Sequence, residues 1–93
     1  MAHRVIWSPR AVADVEAIAS YIAADSTTYA NTVVRRIIRL ASSLENFPRS
    51  DRKVPEFDNE NIRELFAYSY RIMYHIEEGR VTIAAVIHGR RML

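Results

Sequence analysis

"YRIMYHIEEGRVTIAAVIHGRR" occupies residues 70–91, and its alternation decides how the rest of the chain has to fold. Tyr70, Ile72, Tyr74 and Ile76 alternate with Arg71, Met73, His75 and Glu77, the period of a half-buried strand. Residues 80–88, "RVTIAAVIH", are β-branched and apolar and predict a second strand. Glu78-Gly79 between them suits a two-residue hairpin turn, because Gly accepts positive φ. That turn pairs Glu77 with Arg80, Met73 with Ala84 and Arg71 with Val86. With strict alternation, Val81, Ile83, Ala85 and Ile87 join the even-numbered residues on the core face. Arg71, Met73, His75 and Glu77 then share the open face with Thr82, Ala84, Val86 and His88. Arg71 and His88 become diagonal neighbours there, within reach of one small anion.

Upstream of this hairpin, "IRELFAY" (62–68) reads as a third strand. "RSDRKVPEFDNEN" (49–61) is polar, carries a Pro and has no helical period, so it predicts a long loop with room for a short strand. At the N-terminal end, "HRVIW" (3–7) is a first strand. Ser8 then caps a helix with Pro9 at its first position, and Val12, Val15, Ile18, Ala19 and Ile22 follow at helical spacing to about Ala24. Ser26 or Thr27 caps a second helix, whose stripe of Ala30, Val33, Val34, Ile37, Ala41 and Leu44 ends at Phe47-Pro48. The short break predicts an antiparallel helical hairpin. The expected fold is a single α+β domain over residues 1–93: an N-terminal strand, a helical hairpin and a three-stranded antiparallel meander, forming one mainly antiparallel sheet.

Composition narrows the chemistry. The chain has 93 residues, 49% of them hydrophobic, enough for one core near the lower end of single-domain size. It has no cysteine, which excludes a disulfide framework, a thiolate metal site and a catalytic thiol. Three histidines scattered at 3, 75 and 88 do not suggest a zinc site, and no cofactor or metal is expected. No apolar run is long enough to span a membrane and "MAHRVIWSPR" lacks the apolar centre of a signal peptide, so the default expectation is cytoplasmic. The 13 cations are 12 Arg and Lys53 alone. Guanidinium forks match phosphates and carboxylates, which favours a nucleic acid or an acidic protein as partner. Arg35, Arg36 and Arg39 read as the wet face of the second helix, and Tyr68, Tyr70 and Tyr74 as core and sheet edge.

The order "RKVPEF", "IREL", "YRIMY", a Gly turn and "VTIAAVIHGRR" resembles the RelE/ParE superfamily, toxins of bacterial type II toxin–antitoxin pairs. "WSPRAVADVEAIASYIA" is similar to the opening of ParE-type members, so the resemblance spans nearly the whole chain. It implies an adjacently encoded antitoxin as partner and one of two activities. RelE- and YoeB-like members cut mRNA on the ribosome, whereas ParE members poison DNA gyrase. On the YoeB-like pattern, Glu56 would be the general base, Arg71 would hold the phosphate and His88 would be the general acid. Arg91 matches an Arg that RelE places after its last strand. Arg52, Lys53, Arg63, Arg90 and Arg91 are the expected RNA- and phosphate-binding residues. Such a set would cleave RNA without a metal, since a well-placed acid or base contributes roughly 10²–10⁴ in rate. The expected function is a toxin, narrowly favouring ribosome-dependent mRNA cleavage, with gyrase inhibition or an inactive antitoxin-binding member as alternatives. Two features lean toward the ParE type: the sequence ends at Leu93, before the C-terminal helix and Tyr of RelE and YoeB, and acidic residues dilute the basic loop.

Overall fold

Ser8 decides where the first helix begins. In the computed structural model, which describes residues 2–89, its backbone is extended and its hydroxyl accepts a hydrogen bond from Ala11 N at 3.0 Å. Pro9 occupies a first-turn position whose N–H has no helical partner. Helix α1 therefore runs Pro9–Ala23. Ser26 repeats the device, accepting from Tyr29 N at 3.0 Å, and α2 runs Thr27–Ser43. The short link folds α2 back against α1.

Ala30, Val33, Ile37, Ala41 and Leu44 are buried as expected. On α1 the buried residues are Ala11 and Ile22, whereas Val12 is 45% exposed. The cap ties the first turn to the sheet, so Ala11 rather than Val12 takes the inward position there, while Val15, Ile18 and Ile22 face the core as expected.

The strands are β1 (Arg4–Trp7), β2 (Arg52–Lys53), β3 (Ile62–Ala67), β4 (Tyr70–Glu77) and β5 (Arg80–His88). They form one sheet in the order β1-β5-β4-β3-β2. The helical hairpin carries the chain from β1 at one edge to β2 at the other; β1 lies parallel to β5, and every other pairing is antiparallel. The expected α+β arrangement is present, with β2 as a short fifth strand inside the 49–61 loop. Tyr74 is fully buried at the centre, where its hydroxyl donates to Pro48 O at 2.8 Å.

The last hairpin turns where expected. Glu77 pairs with Arg80, and Gly79 has φ 71°. Three pairs further on the register changes: Tyr74 faces Ile83, but Met73 faces Ala85. Ala84 is an extra residue, a β-bulge, and everything after it on β5 changes face. This corrects the register derived from strict alternation. Arg71 lies opposite Ile87 rather than Val86, and His88 lies opposite Tyr70. Val86 joins Ile72 in the core, while Ile87 moves to the face of Arg71.

The bulge is held from α1. Ser8 Oγ donates to Ala84 O at 3.0 Å, and Val86 N donates to Asp14 Oδ2 at 2.9 Å. The polar backbone groups released by the bulge are thereby satisfied.

Candidate functional site

Arg71 projects from the middle strand onto the sheet face away from the helices, yet it is only 5% exposed. A buried guanidinium needs partners, and two carboxylates supply them. Glu64 sits on neighbouring β3, opposite Met73 and so on the same face. It accepts from Arg71 Nε at 2.9 Å and Nη2 at 2.6 Å, both on Oε1. Glu56 comes from the loop after β2. It accepts a fork from Arg71, Nη1 to Oε2 at 2.9 Å and Nη2 to Oε1 at 2.8 Å.

The remaining oxygen of Glu64 accepts from Arg52 Nε at 2.5 Å, and the Arg52 guanidinium lies 5.5 Å from the centre of the Phe66 ring. Two guanidiniums and two carboxylates alternate in this chain, so its formal charge is zero. Its inner members, Glu64 and Arg71, have side chains 0% and 6% exposed.

The electrostatics follow from this pairing. The fork from Arg71 holds the Glu56 carboxyl below the usual carboxylate range, against a smaller opposing effect of burial. Hydrogen bonds to Glu56, and then to Glu64, hold the Arg71 guanidinium protonated beyond its ordinary range despite burial. A carboxylate lowered in this way is a weaker proton acceptor than a free one.

The other expected binding residues are spread out. Arg63 is on the opposite sheet face from Glu64, donating to Glu60 O at 2.9 Å, Arg49 O at 3.2 Å and Asp51 O at 2.8 Å. It fastens the 49–61 loop to β3. Lys53 lies 3.6 Å from Asp58 at the surface. His88 makes an edge-to-face contact with Tyr70, ring centres 5.9 Å apart, so the bulge puts it across the sheet from Arg71. Arg90 and Arg91 lie outside the described residues.

The structure thus brings Glu56 and Arg71 together and separates His88 from them. Glu64 was absent from the expected site. Its signal was available: it stands two positions before Phe66, on the same face as Arg71, as a carboxylate inside an apolar strand. Among the described residues, no three His, Asp or Glu side chains converge as a metal ion requires. No helix among them is long and apolar enough to cross a membrane.

Comparison with known proteins fixes the family. A family model described as the ParE toxin of the type II toxin–antitoxin system, parDE, matches residues 5–93. The chain belongs to the RelE/ParE superfamily of type II toxins. Toxin RelE2 of Caulobacter vibrioides is 32% identical over 90 residues, covering 96% of this chain and 98% of the relative. The chromosomal ParDE system of P. aeruginosa supplies a similar structure, with a TM-score of 0.76 at 17% identity over 92% of this chain and 95% of that one. The toxin–antitoxin complex RelBE2 of Mycobacterium tuberculosis gives 0.68, also at 17% identity, over 95% and 99%. At that identity the two structures speak for the fold. Both of those structures come from toxin–antitoxin systems.

Proposed function

We propose that this toxin arrests growth by binding a protein target, DNA gyrase, rather than by cutting mRNA. The observation that carries this reading is the pairing of the buried Arg71 guanidinium with Glu56 and Glu64. Phosphoryl transfer to water or to a 2′-hydroxyl needs a cation aimed at developing phosphorane charge. Here the guanidinium is buried and makes four hydrogen bonds to two carboxylates. A general base works best with a pKa near the working pH, and Glu56 is shifted the other way. The candidate acid, His88, is on the other face of the sheet.

The family description, ParE toxin of parDE, supports the same direction. Two observations favour the ribonuclease reading: Glu56 and Arg71 do meet, as base and phosphate ligand would, and the RelE2 relative carries a RelE name. In either case the neutralising partner is an antitoxin encoded beside the toxin, with an acidic C-terminal segment.

Purified toxin added to a gyrase supercoiling reaction, beside an in vitro translation reaction with a labelled reporter mRNA, tests the proposal. Inhibited supercoiling with intact mRNA is the expected result. Cleaved mRNA with normal supercoiling would overturn it.

A further inference from the structure

Helix α2 contains no acidic residue, and its outer face is basic along more than one turn. Ala30, Val33, Ile37 and Ala41 fix the buried face. At 100° per residue, Arg35 and Arg39 lie diametrically outside it, with Arg36 beside them and Thr28, Thr32 and Ser42 completing the stripe. All six are exposed.

Outside α2, Arg10, Arg52, Lys53, Arg63, Arg71 and Arg80 each face a carboxylate, whereas Arg49 donates to the neutral Asn61 amide and Arg4 has no carboxylate partner among the described residues. Arg35, Arg36 and Arg39 have no such partner among the described residues. Helix α1, by contrast, carries one Arg against Asp14 and Glu16. Among the described residues, Arg35, Arg36 and Arg39 are the cations without a carboxylate that share one rigid face, Arg4 and Arg49 lying apart on β1 and in the 49–61 loop.

We propose that the outer face of α2 docks on the phosphate backbone of duplex DNA. Arg35 and Arg39 are separated by about 6 Å along the helix axis, so they present two guanidiniums along a line to a backbone that carries roughly one charge per 1.7 Å of duplex. The hydroxyls between and beyond them are the other side chains that commonly contact phosphate. A protein partner would need an apolar or aromatic anchor at the centre of the patch. The stripe has none, because the exposed apolar residues of α2, Tyr29 and Ile38, lie on its flanks. A single-stranded RNA would need aromatic faces for its bases to stack on, and the stripe lacks these also.

The test is fluorescence anisotropy with the full chain and a labelled duplex of about 20 base pairs, titrated between about 50 and 200 mM salt. Wild type is compared with the triple variant Arg35→Gln, Arg36→Gln, Arg39→Gln and with the corresponding triple Lys variant. Three lost phosphate contacts flatten the slope of log K against log salt by about 2.7, so wild type loses about 40-fold more affinity over this range than the Gln variant. The Lys variant keeps the wild-type slope. A thermal midpoint unchanged by the Gln replacements separates lost charge from lost fold, as these side chains are exposed. The proposal is overturned if wild type shows no duplex binding at low salt, or if the Gln variant keeps the wild-type slope. It is also overturned if poly-glutamate or single-stranded RNA binds the stripe more tightly than duplex DNA. Any of these results is independent of whether gyrase is the toxin's target.

Discussion

Replacing Glu64 by Gln tests the buried ion chain at its centre. The Glu64 side chain is 0% exposed and accepts three hydrogen bonds, two from Arg71 and one from Arg52. Glutamine keeps the shape but removes the charge and turns a donor amide toward a guanidinium. Losing one partner of a buried pair costs about 3–5 kcal/mol, and Glu56 still faces Arg71, so the lower end applies: roughly 3 kcal/mol. At about 4–8 °C per kcal/mol for a domain of this size, the melting midpoint falls by about 12–24 °C. Circular dichroism melts measure this directly. The paired replacement Arg71→Met with Glu64→Leu removes both buried charges into a row flanked by Phe66, Met73 and Ile87, and recovers most of the loss. Because Arg71 is structural on this account, the double variant still arrests growth when expressed. A Glu64→Gln midpoint within about 3 °C of wild type would refute the stability argument. A stable double variant that accumulates without arresting growth would show that the guanidinium itself is needed for toxicity.

Asp14→Ala leaves Val86 N without its acceptor beside the bulge, at a cost of about 1–3 kcal/mol; hydrogen exchange should show the Val86 amide losing protection, and unchanged exchange would count against the bulge clamp. Gly89→Ala places a Cβ 2.9 Å from Ser69 O and 3.2 Å from Phe66 Cε2, so the backbone after β5 has to shift and the midpoint drops by an amount typical of overpacking, about 1–3 kcal/mol; a fully tolerated alanine would show that this approach is looser than described. Glu56, held low by Arg71, contributes stability that is present above the ordinary carboxylate pKa of about 4.3 and is lost as pH falls through its lower folded value. Glu56→Gln should therefore flatten the acid limb of a stability–pH profile, and an unchanged limb would contradict the pairing.

Much of the fold was legible because local signals agreed. Ser8-Pro9 and Ser26 fixed the helix starts, Glu78-Gly79 fixed the hairpin turn, and period-two alternation in 70–77 identified the core face of β4. What alternation alone could not reveal was the bulge at Ala84. "IAAV" reads equally well with or without an extra residue, since both alanines are small and apolar. The deciding groups, Ser8 Oγ and the Asp14 carboxylate, are more than 70 residues away in sequence. One unread residue moved His88 across the sheet and dissolved the expected Arg71–His88 pair. Glu56 can meet Arg71 because the face of Arg71 on β4 does not depend on the bulge, whereas the role of Glu64 depended on β3 pairing with β4 so that Glu64 faces Met73.

The most direct test of a gyrase-directed toxin is made in arrested cells. Expression of this chain without antitoxin is followed, at the onset of arrest, by plasmid topoisomer analysis and by primer extension across an abundant mRNA. The account predicts altered plasmid supercoiling with mRNA 5′ ends identical to those of uninduced cells. New cleavage ends within the coding sequence, with plasmid supercoiling unchanged, would contradict it.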